Sequence, residues 1–161
     1  MAKGTRPSRP GTLMLLRFLV LVVLLNIVRY VVAGFVEQML ILPHLFAAMA
    51  ASQEYFRTEF TTLDWVTSYL YNFAMWAVAA WVFHLLRPVL KGGDVAASLK
   101  SFGVMWLMFA AVSTIYMNHY SHPPDFYLWN ILDAVIAFGT VALANGLLYR
   151  RVMGPKRVER P

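Results

Sequence analysis

Apolar residues in this chain neither alternate nor form one stripe of an amphipathic helix. They gather in four long runs, with polar residues concentrated between them. The first run, about 13–36, is dense in Leu and Val. The second, about 63–86, contains YLYNFAMWAVAAWVFHLL, and the third, about 99–117, contains FGVMWLMFAAVSTIYM. The fourth, about 126–149, contains LWNILDAVIAFGTVALANGLLY. A hydrocarbon layer about 30 Å thick is crossed by about 20 helical residues. Four core helices of a soluble protein would keep a polar face for water, and these runs keep none. The pattern predicts an all-α membrane protein, a four-transmembrane-helix bundle. It forms one domain over 13–149, between basic tails at 1–12 and 150–161.

Breaks between the runs have ordinary chemistry. Arg87-Pro88 and Lys91-Gly92-Gly93-Asp94 make a short turn, and Ser121-His122-Pro123-Pro124-Asp125 separates the last two runs. Proline lacks an N–H and crowds the preceding turn, so it ends helices. Between Glu37 and Thr62 lies a longer connection. There Leu42, Leu45, Phe46, Met49, Phe56 and Phe60 share one side at helical spacing, which predicts an interfacial helix or packed loop. The first run also has the outline of a cleavable signal, with small residues at Val31-Val32-Ala33. The apolar stretch continues through Phe35 and Val36, and Arg29 precedes the site, so a retained span is expected.

Composition adds a compartment. The chain is 60% hydrophobic and 14% charged, against roughly 45–50% and about 25% for soluble domains. It has no cysteine, which removes disulfides and thiolate chemistry. The net charge of +6 would fit nucleic acid until the charges are placed. Lys3, Arg6, Arg9 and Arg17 precede or open the first span; Arg87, Lys91 and Lys100 surround the second break; Arg150, Arg151, Lys156, Arg157 and Arg160 follow the fourth. These twelve of the fourteen basic residues share one side, leaving Arg57 opposite and Arg29 inside the first span. Glu37, Glu54, Glu59, Asp64 and Asp125 are on the opposite side. Cytoplasmic loops are rich in Lys and Arg, so both termini are expected to be cytoplasmic, N-in and C-in, in a bacterial inner membrane. The expected partners are the lipid bilayer and its anionic headgroups, not nucleic acid. Trp65, Tyr69, Tyr71, Tyr116, Tyr120, Phe126, Tyr127 and Trp129 form an aromatic belt at the outer interface.

Charged groups within a span are costly and generally face the bundle and a partner. Arg29 lies seven residues before Val36, and Asp133 seven after Phe126. Equal depth predicts a buried Arg29–Asp133 ion pair that sets the first and fourth spans side by side. Small and polar residues also recur at helical spacing: Asn26, Arg29, Ala33 and Glu37; Ser68, Asn72, Met75 and Ala79; Gly103, Trp106, Ala110, Ser113 or Thr114, and Met117; Asn130, Asp133, Ala137, Thr140 and Ala144. With Asn145, the amides and Thr140 make an intramembrane polar stripe on the expected inward faces.

Little chemistry remains. His119, His122 and Asp125 could supply N and O ligands to a metal at the outer side. His84 has no histidine partner for haem, and no phosphate loop, nucleophile elbow or zinc-protease motif occurs. No catalytic residue and no cofactor are expected. The reading is a structural or accessory membrane protein acting through helix packing, in a complex or a homo-oligomer. Its rivals are a small transporter or channel protomer using Arg29 and Asp133, and a membrane enzyme or metal-binding protein using the outer histidines.

Overall fold

The computed structural model describes residues 10–56, 59–119 and 123–154. Every regular element among them is helical: α1 (Pro10–Val28), a π-helical turn (Arg29–Ala33), α2 (Gly34–Leu40), α3 (Leu42–Ala50), a 3-10 turn (Gln53–Tyr55), α4 (Thr62–Leu86), α5 (Asp94–His119) and α6 (Pro124–Met153). The first helices run on through the π turn, giving four rods long and apolar enough to cross a membrane: Gly11–Leu40, Thr62–Leu86, Asp94–His119 and Pro124–Met153.

Local chemistry sets the ends. Thr61 opens α4 with a capping box: its hydroxyl accepts from the Asp64 N–H, and the Asp64 carboxylate accepts from the Thr61 N–H at 2.9 Å. After α4 the chain meets Pro88, and Gly92 takes φ +103, a left-handed conformation that suits glycine. The Arg87 side chain organises this turn by donating to the Leu90 and Gly92 carbonyls, each at 3.1 Å. Pro124 lies in the first turn of α6, where a missing N–H costs nothing. At the other end, Arg17 Nη1 donates to the Met153 carbonyl at 3.1 Å, satisfying one of the carbonyls that a helix leaves open.

Helix α6 is the hub. It packs most extensively on α5, then on α1, while α4 touches α1 and α5. The α5–α6 contact is close because Gly146 has no side chain: a Cβ there would stand 2.5 Å from the Val95 Cα. Beside it, the fully buried Asn145 donates to Ser98 Oγ at 2.9 Å, and further along Trp106 Nε1 donates to the Ile131 carbonyl at 3.2 Å. The core lies towards the end that carries the termini and is built from Leu21, Val22, Leu25, Trp76, Phe83, Phe102 and Val141.

Helix boundaries extend beyond the apolar runs. α5 begins at Asp94, ahead of Leu99, and the first rod continues past Val36 to Leu40, so Glu37 belongs to a helix rather than to the loop. Backbone hydrogen bonding does not stop where side chains turn polar, so apolar runs under-count helices. The expected interfacial helix is α3, starting next to Pro43. Its inward face differs from the expected one. Leu42, Leu45 and Met49 are half-buried, but Phe46 is exposed, because the buried face centres on Ile41 and Ala48.

The inward face of α4 is also different. Of the expected stripe Ala79 is buried, but Ser68 and Met75 are exposed and Asn72 half-buried, and Trp76, Ala80 and Phe83 join Ala79 on the inward face. Small residues mark faces where backbones approach closely. On α4 that signal holds for Ala79 and Ala80, while the bulky Trp76 and Phe83 share the buried face with them.

Candidate functional site

Leu21, Leu25, Arg29, Ala33, Glu37 and Ile41 form a strict four-residue series, and all are buried or nearly so. An α-helix turns 100° per residue, so each step of four drifts by about 40°. Five such steps would carry Ile41 to the opposite side from Leu21. The π turn Arg29–Ala33 corrects this drift. Its i→i+5 bond, from the Gly34 N–H to the Arg29 carbonyl, takes up one extra residue. Beyond it the helix is set back by about 100°, and the series stays on one face.

The π turn therefore builds a charged pair. Arg29 and Glu37 are eight apart, about 80° out of line in a plain α-helix. With one residue absorbed they behave as seven apart, about 20° out of line. Arg29 Nη1 donates to Glu37 Oε2 at 2.7 Å, with both side chains largely buried. The guanidinium also lies over the Tyr30 ring, 5.9 Å from its centroid, and Tyr30 meets Tyr69 of α4 edge to face.

Asp133 faces this pair from α6 and lies within electrostatic reach of both Arg29 and Glu37. The first and last rods do pack side by side. The ion pair of Arg29, however, is with Glu37 and not with Asp133. The register gives the reason. Arg17 meets the end of α6 at Met153, and twenty residues along from that contact stand Glu37 on one helix and Asp133 on the other. Equal counts from the ends of the apolar runs had matched Asp133 with Arg29 because the first rod is longer than its apolar run. Two acceptors in this centre have no partner: Glu37 Oε1 and Asp133 Oδ1 are both buried without a hydrogen bond. One guanidinium thus faces two carboxyl groups.

The remaining polar residues fall in separate places. Asn26 is buried below Arg29; its amide donates to the Val22 carbonyl at 2.9 Å, and its Oδ1 is unpartnered. Asn72 and Asn130 each donate to a carbonyl four residues earlier, Ser68 and Phe126, on their own helices. Thr140 is half-buried on α6. Asn145 belongs to the α5–α6 junction near the termini.

At the far end, His119 Nδ1 donates to the Ile115 carbonyl at 2.9 Å, and Asp125 Oδ1 accepts from the Phe126 N–H at 3.1 Å. His122 lies outside the described residues. Among the described residues, no three His, Cys, Asp or Glu side chains gather as a metal site would require. His44 instead stacks on Trp129, with centroids 4.4 Å apart, and helps to seat α3 on α6.

A second charged cluster was not anticipated. Asp94 accepts from Arg87 Nε at 2.6 Å and also pairs with Arg150, so it joins the α4–α5 turn to the end of α6. Nearby, His84 Nδ1 and the Tyr149 hydroxyl share a 2.7 Å hydrogen bond. The signal in the sequence was Asp94 itself, the lone acid among the basic residues of 87–100. Comparison with protein-family models, curated proteins and solved structures finds no match.

Proposed function

We propose that this chain is a small integral membrane protein of accessory type, which acts through its helix faces in a membrane complex or a homo-oligomer. The observation that carries this reading is the outward surface. Val31, Phe35, Leu70, Met108 and Leu147 are each more than half exposed, and similar residues cover all four rods. Soluble monomers rarely leave contiguous apolar patches of that extent. In a bilayer the same surface is solvated by lipid chains, and helices associate by close packing rather than by escape from water. The charges support an orientation with both termini inside: Arg17, Arg87, Lys91, Lys100, Arg150 and Arg151 lie at the end that carries the termini, as the positive-inside rule expects of a cytoplasmic end.

A contact surface is available on α5 and α6. Between them is an apolar groove of about 180 Å³ that includes Phe102, Gly103, Trp106, Phe138 and Gly139. A Cβ at Gly103 or Gly139 would meet nothing within 4 Å, so both glycines leave room for a neighbouring backbone. Small residues on an outward helix face permit this kind of approach.

Two measurements test the reading. A reporter fused after Lys91 should register the cytoplasm; an external signal there would overturn the topology. Mass measurement in nanodiscs should give an assembly larger than the monomer, or a stable complex with another membrane protein. The double variant Gly103→Leu, Gly139→Leu should return it to the monomer with its helicity intact. A wild-type protein that is monomeric and without a membrane partner would defeat the accessory reading.

A further inference from the structure

The centre formed by Arg29, Glu37 and Asp133 has an imbalance that its packing leaves open. Arg29 keeps its charge under any ordinary condition, because a guanidinium does not lose its proton in proteins. Its bond to Glu37 Oε2 neutralises one carboxylate. If Asp133 were also ionised, the cluster would hold one uncompensated negative charge. It would also hold two buried oxygens, Glu37 Oε1 and Asp133 Oδ1, with no donor. Uncompensated charge in a low-dielectric interior is strongly unfavourable, and each buried unmade hydrogen bond adds to the cost. Glu37 is only 4% exposed, so water is not at hand to relieve it.

We propose that Glu37 and Asp133 together form a proton-binding site, which holds one exchangeable proton beside the Arg29 guanidinium. One proton removes the excess charge, leaving one carboxyl neutral and the other balanced by the Arg29 guanidinium. A metal cation would balance the charge as well, but it fits poorly. Hard cations take six or more oxygens, and here a guanidinium stands 2.7 Å from one of the two carboxyls. A proton needs only a single oxygen.

Other titratable groups around the centre do not supply the missing charge. The π turn contributes Arg29 and Tyr30, and α4 contributes Tyr69, which meets the Tyr30 ring. α6 contributes Asp133 and, nearer its start, Tyr127 and Asp125. α3 contributes His44, whose ring is stacked on Trp129. α6 also carries Arg150 and Arg151, but in its last turn, seventeen and eighteen residues beyond Asp133, so among the described residues Arg29 is the guanidinium at the centre.

The site joins two elements. Glu37 is on α2, immediately beyond the π turn, and Asp133 is on α6, against which α2 and the π turn pack. Gain or loss of the proton therefore acts on the seam between the first and last rods. This inference is independent of the accessory reading: the site titrates whether the protein works alone or in a complex.

Infrared difference spectroscopy of the protein in nanodiscs, stepped from acidic to alkaline pH, tests it. The wild type should show the carbonyl band of one protonated carboxyl in a dry environment, bleached as the pH rises. Charge counting sets the variants. Asp133→Asn or Glu37→Gln leaves one guanidinium and one carboxylate, so either should lose the band. Arg29→Gln leaves two carboxyls without a cation and should strengthen it. Asp125→Asn and His44→Gln should leave it unchanged. Asp133→Asn retains the Arg29–Glu37 pair and is the variant expected to fold. The thermal midpoint of the wild type should fall as the pH rises and the proton leaves, whereas that of Asp133→Asn should lose this decline. A folded Asp133→Asn protein that keeps the band would overturn the assignment. So would a wild type with no such band, or a band removed by sodium at constant pH, which would make the occupant a cation.

Discussion

At the scale of single residues, Arg29 matters most because of what it leaves behind when removed. Arg29→Ala would strand the buried Glu37 carboxylate, and losing one partner of a buried pair typically costs about 3–5 kcal/mol. Thermal unfolding in detergent should show this as a large fall in the midpoint. Glu37→Gln added to Arg29→Ala should recover part of it, since the stranded charge is gone. A double variant no more stable than Arg29→Ala would mean that Arg29 contributes packing rather than charge. Both residues stood on one small-and-polar stripe in the sequence, with Asn26 and Ala33, and three of its four members are buried. The identity of the partner was not legible there, because depth in an apolar run does not say how far the helix continues beyond it.

At the scale of the element, the π turn is one residue inserted into an otherwise α-helical rod. Deleting Val31, an exposed residue within that turn, should let the segment relax to α-helix with its flanks still in phase. Arg29 and the residue now numbered Glu37 would then be seven apart and still on one face. The expected result is near wild-type expression and thermal midpoint. Deleting Val23, equally apolar and also exposed but within α1, should rotate one part of the face against the other by about 100° and sharply reduce folded protein. Equal damage from the two deletions would refute this account of the turn. The four-residue series was present in the sequence from Leu21 to Ile41. It was readable as a helical face only over short windows, where a 40° drift per step is tolerated.

At the scale of the whole molecule, two charged clusters lie near opposite ends of the bundle. The one at the termini is a clamp: Asp94 joins the α4–α5 turn, through Arg87, to the end of α6, through Arg150. Asp94→Asn should loosen that end, at roughly 1–3 kcal/mol for lost hydrogen bonds to charged groups. The Arg150 share is small because its side chain is mostly exposed. Hydrogen exchange should quicken in the turn around Gly92 while the Arg29–Glu37 end stays protected. Uniform loss of protection along all four rods would show instead that Asp94 supports the fold as a whole. This clamp could not be read by counting charges, since Arg87 and Arg150 also belong to the basic residues that gather at the end carrying the termini.

Length and apolarity of the runs were enough to determine four long helices, because backbone hydrogen bonds in a low-dielectric layer must close within each segment. Turn chemistry at Pro88, Gly92 and Pro124 was likewise local and legible, and so was the segregation of basic residues towards the termini. Contacts between rods were decided only in three dimensions. Which carboxyl Arg29 takes depends on the register of α1 against α6 and on a one-residue slip inside a helix. Which residues of α4 turn inward depends on which sides of it α1 and α5 occupy. Those are relations between segments remote in the chain, and helical periodicity measures only the angle of a residue about its own axis.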